Sequence, residues 1–373
     1  MSIHQNKAAY LDGAKVHPLA VREAPYTKPG PHQISIRNEA IALNPLEYIK
    51  QSIGNFIYEW IKYPFVMGAD VAGTVVEVGE NVTRFKPGDR VVACALGMEK
   101  KHNKSAMGGY QLFTNVQDNL ASLIPDSLEP EKAAVLPLAI TTAACGLFQK
   151  DHLALRYPVH GGKSQPQKDR ENLIIWGGST SVGCNAIQLA TAAGYEVITT
   201  CSPRNFDLVK SLGATAAFDY RSPTVVKDII RACNGKKVAG AMAIGDGGPE
   251  KCADILGKCE GNRFLSQVSF PNPENPDAGA PARILTFMAF SAKMVVKKAL
   301  AGVRSNFVWG ATIEDNEVSK VMFEDFLPKA LADGSYTCAP EPEIIGSDLG
   351  AIQGGLDRLK FEGVSAKKLV VKL

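Results

Sequence analysis

The residues with the plainest chemistry are Leu173–Gly183, LIIWGGSTSVG. An apolar run leads into Gly177-Gly178-Ser179-Thr180-Ser181-Val182-Gly183, and a small-residue helical pattern starts at once. A strand-to-helix turn of this kind aims free backbone N–H groups and the positive end of a helix at one point, which suits a pyrophosphate. Glycine lets a phosphate approach the backbone, and Ser or Thr hydroxyls add hydrogen bonds. The dinucleotide fingerprint G-x-G-x-x-G is partly kept. Gly178 and Gly183 fit its outer positions, and Thr180 replaces the middle glycine. The flanking strand, the helix and the βα units that follow give the pattern its weight.

The end of the next strand selects the cofactor. An acidic residue there would bind the ribose 2′-hydroxyl of NAD. This chain instead reads Thr199-Thr200-Cys201-Ser202-Pro203-Arg204-Asn205, with no carboxylate before Asp207. A hydroxyl at Ser202 and a guanidinium at Arg204 suit the 2′-phosphate of NADP, because arginine grips phosphate through two parallel bonds. The expected cofactor is NADPH.

Metal chemistry has no comparable signal. The eight cysteines form no C-x-x-C pair, and no histidine lies at ligand spacing from any of them. They read as small buried hydrophobes in a reducing compartment.

The elements that must position these residues change character along the chain. The first third is β-rich. Gln33–Ala42 and Asp70–Val78 read as strands, the latter interrupted by Gly73, and Arg90–Ala95 follows the turn Lys86-Pro87-Gly88-Asp89. Short strands between Gly and Pro turns suggest a barrel-like domain. From Leu173 the pattern alternates. Strands are expected at Leu173–Trp176, Glu196–Thr200, Ala214–Phe218, Val238–Ile244 and Phe264–Val268. Helices are expected at Val182–Ala193, Asn205–Leu212, Thr224–Cys233 and Glu250–Cys259. That order specifies an α/β fold with a doubly wound parallel sheet. Pro158–Glu171 reads as a polar surface loop, the proline-rich Phe270–Pro281 as irregular, and Lys367–Leu373 as a final strand.

Composition excludes other classes. With 373 residues, about two domains are expected. Forty-one Lys and Arg against 38 Asp and Glu give a net charge of +3, too balanced for a dedicated nucleic-acid binder. Neither charge-poor stretch, Ala133–Gln149 or Asn172–Tyr195, reads as a membrane span, and the first residues carry no secretory h-region. The expectation is a soluble, cytoplasmic protein that binds neither nucleic acid nor membrane.

Four ordered blocks carry a family resemblance. They are Gly68–Gly79 (GADVAGTVVEVG), Phe85–Val91 (FKPGDRV), Ala133–Pro137 with Thr141-Thr142-Ala143, and the glycine turn. The ending Gly354–Leu359 with Lys368–Val371 agrees. Over nearly its whole length the chain resembles the medium-chain dehydrogenase/reductase superfamily. Within it, the chain is most similar to zinc-free, quinone-oxidoreductase-like fungal proteins, including trans-acting enoyl reductases that serve polyketide synthases. The segment Thr200–Lys210 is especially close to those.

The resemblance implies a GroES-like catalytic domain over residues 1–135, a Rossmann NADPH-binding domain over 136–305, and a return to the first domain over 306–373. It places Asn44, Thr142 and Tyr220 among the cofactor-binding residues, with Thr142 near the nicotinamide amide and Tyr220 near the adenosine. Zinc-dependent members carry a Cys near Ala42–Asn44 and His-Glu after the equivalent of Gly68. This chain has Ala42-Leu43-Asn44 and Gly68-Ala69-Asp70, so no metal is expected and Asp70 reads as structural. Glu47 replaces the family's usual Asp. Tyr48, Lys50 and Tyr58 are the candidates to donate a proton or polarise a carbonyl. The implied reaction is hydride transfer from NADPH to an activated C=C bond of a small molecule, an enone or an enoyl thioester, free or carrier-bound on a polyketide synthase. A quinone or carbonyl reductase, and a nucleotide-binding protein without redox turnover, stand as alternatives. Both monomer and homodimer are open.

Overall fold

The computed structural model describes residues 4–161, 170–271, 275 and 278–373. Residues 162–169 of the expected polar loop, and 272–274 and 276–277 of the proline-rich run, lie outside the described residues.

The first part of the chain forms strands β1 (Asn6–Leu11), β2 (Ala20–Ala24) and β3 (Gln33–Ala42), then helix α1 (Pro45–Ile53). Strands β4 (Phe65–Val66), β5 (Asp70–Val78), β6 (Arg90–Cys94), β7 (Phe113–Gln117) and β8 (Ala121–Leu123) follow, with helices α2 (Pro130–Ala133) and α3 (Pro137–Phe148). The middle alternates β9 (Asn172–Trp176), α4 (Ser181–Ala192), β10 (Glu196–Cys201), α5 (Phe206–Ser211), β11 (Ala214–Asp219), α6 (Val225–Cys233), β12 (Val238–Ala243), α7 (Gly248–Leu256) and β13 (Phe264–Gln267). Then come α8 (Ala280–Ala301), β14 (Arg304–Phe307) and α9 (Glu317–Lys320), and finally α10 (Leu327–Ala332), β15 (Glu341–Gly346), α11 (Ala351–Phe361) and β16 (Lys367–Lys372).

The chain divides into two units, Met1–Leu138 with Phe323–Leu373, and Ala139–Met322. In the first unit, a seven-stranded sheet runs β15-β16-β3-β5-β6-β8, with β7 also on β3, and a three-stranded sheet runs β2-β1-β4. Strand β5 passes through Gly73 without a break, and the register of β3 on β5 shifts between Asn38 and Ala40. The last strand, β16, pairs antiparallel with β3 and parallel with β15, so the end of the sequence completes the sheet begun near its start.

In the second unit, six strands lie in the order β11-β10-β9-β12-β13-β14, and every pair is parallel. That is the 3-2-1-4-5-6 order of the doubly wound dinucleotide fold, with its switch point between β9 and β12. All five residues of β9 are buried, and Leu173–Trp176 is the apolar run of a strand covered on both faces. The parallel arrangement brings the carboxyl ends of β9, β10 and β11 to one edge of the sheet.

One departure from the sequence reading concerns Ala280 and Pro281, the end of the expected irregular run. They open α8, with Pro281 in its first turn, where its missing N–H has no partner to lose. A second concerns the apolar stretch near Ala133–Gln149. Pro130–Phe148 is long and apolar enough by composition to cross a membrane, yet 78% of it is buried within the protein, the character of a core helix.

Candidate active site

The glycine turn of the second unit is locked by its own backbone. Gly177 sits at φ +85°, and its N–H donates to Thr200 Oγ1 at 3.1 Å. Gly178 N–H donates to the Thr200 carbonyl at 2.8 Å, tying the turn to the end of β10. Thr180 caps α4, accepting from Gly183 N–H at 3.0 Å while its hydroxyl donates to the Gly177 carbonyl at 2.7 Å. A Cβ on Gly183 would lie 2.2 Å from that same carbonyl, so the helix can start this close to the turn only with glycine there. The first N–H groups of α4, at Ser181 and Val182, have no carbonyl within the helix to receive them. Ser179, Ser181 and Val182 are half-buried around this opening.

The other cofactor candidates of this unit lie at the same sheet edge or on a helix packed against the sheet. Ser202 follows β10 and starts a short helical turn without capping it through its side chain. Arg204 is exposed and has no ion-pair partner among the described residues. Tyr220 follows β11, packs against the core of the unit, and has the Arg221 guanidinium 5.1 Å from its ring centre. Thr142 lies on α3 against Gly310, where an added Cβ would be 2.7 Å from its hydroxyl. This cradle fits a dinucleotide: a glycine turn at a helix N-terminus, then a hydroxyl and an uncommitted cation one strand away.

In the first unit, a buried polar cluster surrounds Asn44. This residue is the N-cap of α1, and Glu47 closes the capping box by accepting Asn44 N–H at 2.6 Å. The Asn44 amide donates to Glu47 Oε1 at 3.2 Å and to Asp70 Oδ2 at 3.0 Å. Its carbonyl oxygen accepts the Lys368 ammonium, which also pairs with Asp70 Oδ2 at 2.8 Å. Asp70 Oδ1 takes Leu138 N–H at 2.6 Å, so Asp70 holds a backbone N–H group as expected. Burial, and next the Asp70 charge, push the Glu47 carboxyl up to about 8, with Lys368 opposing. The Tyr110 hydroxyl lies beside Glu47 and is fully buried. The Asn44 side chain is thus engaged on every side by its own unit.

The family resemblance places the ligands of zinc-dependent members near these positions. Here a lysine ammonium already sits on Asp70 and Asn44, and Ala42 and Ala69 offer no donor. This donor set does not fit a zinc ion.

The three candidate proton donors do not converge. Tyr48 and Lys50 are two apart on α1, and such residues point to different sides of a helix. The Lys50 ammonium is buried and donates to the carbonyls of Gly54, Ile57 and Tyr58 at 3.0, 3.0 and 3.2 Å. Burial lowers it to about 8. Lys50 therefore fastens the turn that carries Tyr58. Tyr58 is 4% exposed, sits at φ +51°, and directs its hydroxyl to Glu99 Oε1 at 3.3 Å. Burial first, and then the Glu99 charge, raise its pKa strongly, so the phenol keeps its proton.

Sequence reasoning missed Tyr110 and Lys368. For Lys368 a signal existed: in KKLVVKL, alternation puts it on the same strand face as Val370.

Comparison with known proteins agrees with this architecture. Residues 30–126 match the alcohol dehydrogenase GroES-like domain, and residues 181–244 match the zinc-binding dehydrogenase domain. Dehydrogenase pigH of Monascus ruber is 45% identical over 370 residues, covering 99% of both chains. Trans-enoyl reductase himH of Aspergillus japonicus is 35% identical over 375 residues, covering 99% of this chain and 97% of the other. The crystal structure of CurK enoyl reductase has the same fold, with a TM-score of 0.72 at 18% identity and 99% of each chain covered. The chain belongs to the medium-chain dehydrogenase/reductase family of nicotinamide-dinucleotide oxidoreductases, together with fungal dehydrogenases and trans-enoyl reductases.

Proposed function

We propose that this oxidoreductase uses NADPH to reduce an activated C=C bond, in an enone or enoyl thioester of polyketide type, free or carrier-bound. The observation that carries the reading is the carboxyl edge of the parallel sheet. There the capped glycine turn stands beside Ser202 and an exposed, uncommitted Arg204, and β10 itself ends without the carboxylate that would favour NAD. The unit Ala139–Met322 then holds the cofactor, and the unit Met1–Leu138 with Phe323–Leu373 supplies groups to the substrate.

When bound, NADPH would supply hydride to the β-carbon of the substrate, and the α-carbon of the resulting enolate would take its proton from water. The turn's first helical N–H groups, with Ser179, Thr180 and Ser181, hold the pyrophosphate, and Ser202 and Arg204 hold the 2′-phosphate. Thr142 orients the nicotinamide amide, and Tyr220 supports the adenosine. On the substrate side Tyr58 is the group we favour. A phenol that keeps its proton, once turned from Glu99 to the substrate, donates a hydrogen bond to the carbonyl oxygen as negative charge gathers there, an effect of about 2.7–4 kcal/mol for one well-aimed donor. Lys50 positions Tyr58, and Tyr48 is the second donor to test. The free cysteines, seven of them buried, suit a reducing cytoplasm.

Support also comes from the name of himH, a trans-enoyl reductase that aligns along nearly the whole chain. The test is turnover with NADPH carrying deuterium at the transferred position, against enones, enoyl thioesters and quinones. Deuterium at the β-carbon of an enone or enoyl thioester is expected. Turnover of quinones or simple carbonyls alone would replace the reading with a quinone or carbonyl reductase. NADPH binding with no oxidation by any of them would replace it with a non-redox role.

A further inference from the structure

Lys251 lies near the start of α7 and is half-buried, with its ammonium 5.0 Å from the ring centre of Trp176. The same ammonium donates to the Tyr220 carbonyl at 2.9 Å. Trp176 closes β9 and directly precedes the glycine turn, and Tyr220 directly follows β11. The start of α7 is pressed onto the indole, since a Cβ on Gly248 would lie 2.7 Å from Trp176 Cδ1. One side chain of a third element thus bridges the residue before the glycine turn and the residue after the edge strand.

Two features set this lysine apart from an ordinary surface cation. It has no carboxylate partner among the described residues. The acids of its own helix, Glu250 and Asp254, are held by Lys293 and Lys297 of α8. A half-buried cation without a counter-charge is tolerated only where other groups bond it, and here these are a carbonyl and an indole face. The second feature is what the lysine holds. Strand β11 is an edge strand, paired with β10 alone. The turn after it is tied within itself: Arg221 N–H donates to Asp219 Oδ1 at 3.0 Å, and Ser222 N–H to the Asp219 carbonyl at 3.0 Å. The Lys251 bond fastens that turn from a helix 31 residues further along the chain.

We propose that Lys251 is a positioning residue for the adenosine end of the cofactor. It fixes the backbone of Tyr220 relative to the glycine turn, so that the adenosine site is formed before the nucleotide arrives. This rests on the reading that Tyr220 supports the adenosine. In a doubly wound sheet, the half that carries the glycine turn takes one mononucleotide, with its ribose at the end of the next strand. Here that half is β9, β10 and β11, and Trp176, Ser202 and Tyr220 stand at the three strand ends. Tyr220 packs against the same core cluster that holds Trp176, so the core seats its side chain while Lys251 holds its carbonyl. A site ordered in advance loses less affinity to the ordering of its own loop. The role differs from that of Arg204. Arg204 addresses the 2′-phosphate, whereas Lys251 acts on the adenosine that NADPH and NADH share.

Calorimetric titration of the full chain with NADPH, NADH and adenosine 2′,5′-bisphosphate tests this. Lys251→Met keeps the length of the side chain and removes the ammonium. It should weaken all three by a similar factor, about tenfold, the order of one hydrogen bond to a charged group. Lys251→Arg can still donate to the Tyr220 carbonyl and should restore most of the loss. Tyr220→Ala should weaken the same three, and adding Lys251→Met to it should weaken them little further, because the lysine acts through that residue. Lys251→Met binding all three as the wild type does, while Tyr220→Ala does not, overturns the inference and spares the adenosine reading. A loss confined to NADPH and the bisphosphate also overturns it, since Lys251 would then be a phosphate contact, and so do losses that add in the double variant. If Tyr220→Ala itself binds all three unchanged, the adenosine does not lie at Tyr220, and that reading falls together with the inference.

Discussion

Arg204, Tyr58 and Glu47 differ in what holds them, and that decides what each substitution should do. Arg204 is exposed and pairs with nothing among the described residues, so Arg204→Ala disturbs little of the fold. Its removal should weaken NADPH binding by about 1.5–3 kcal/mol, the scale of a hydrogen bond to a charged group, and leave NADH binding almost unchanged. Fluorescence titration with both cofactors measures this, and equal losses for the two would contradict the assigned 2′-phosphate contact. Tyr58 is buried against Glu99 and Trp60, so Tyr58→Phe keeps the packing and deletes only the hydroxyl. Turnover should fall about 10²–10³-fold with NADPH affinity intact. Unchanged turnover would shift the role to Tyr48. Glu47 is fully buried beside Asp70, with its folded pKa raised from 4.5 to about 8. Between those values the folded state keeps the Glu47 proton and the unfolded state has lost it. The unfolded state then binds fewer protons, and stability falls as pH rises through this window. Glu47→Gln can still accept Asn44 N–H, and it removes the titration. Urea unfolding at pH 6 and pH 8.5 should show a loss on the order of a few kcal/mol for the wild type and much less for the variant.

At the scale of elements, legibility followed burial. Strands β9 to β13 were readable to within about two residues, β9, β10, β12 and β13 because nearly all of their residues are buried and read as short runs between turn residues, and the edge strand β11 because Gly213 and the turn after Asp219 bracket it. Helix α1 was not, since PLEYIKQSI puts Glu47 and Lys50 inside the protein, and only tertiary partners (Asn44, and the carbonyls of 54, 57 and 58) make those charges tolerable. Helix α8 was hidden by the proline run before it and by a face that buries only Met294. The glycine turn was legible because backbone conformation demands its residue types. Its lock was not, because the bonds to Thr200 come from the neighbouring strand. Thr180 joins the turn to α4 from both sides, so Thr180→Ala should cost about 1 kcal/mol of stability, the usual value of an N-cap. It should also weaken NADPH binding, as both ends of the phosphate cradle loosen. Thermal unfolding and cofactor titration of the same variant check the two effects together, and a stability loss without any binding loss would place the pyrophosphate elsewhere.

At the scale of the whole molecule, the cofactor reading becomes a statement about folding. A ligand that binds only the native state stabilises it by RT ln(1 + [L]/Kd), about 2.7 kcal/mol at one hundred times Kd. Unfolding entropy near 2.1 cal/mol/K per residue turns this into a temperature shift. If all 373 residues unfold together, the midpoint should rise by about 3 °C. If the unit Ala139–Met322 unfolds by itself, the same free energy acts on about half as many residues, and the rise is about 7 °C. The size of the shift therefore reports which body unfolds, and its dependence on the nucleotide reports which contacts bind. NADPH should shift the midpoint, NADH at the same concentration should shift it by much less, and in Arg204→Ala the two shifts should become alike. Excess EDTA should leave every one of these midpoints where it was, because Lys368, and not a zinc ion, neutralises Asp70. A midpoint that falls on chelation and recovers with zinc would show that the cation in this cluster had been misassigned.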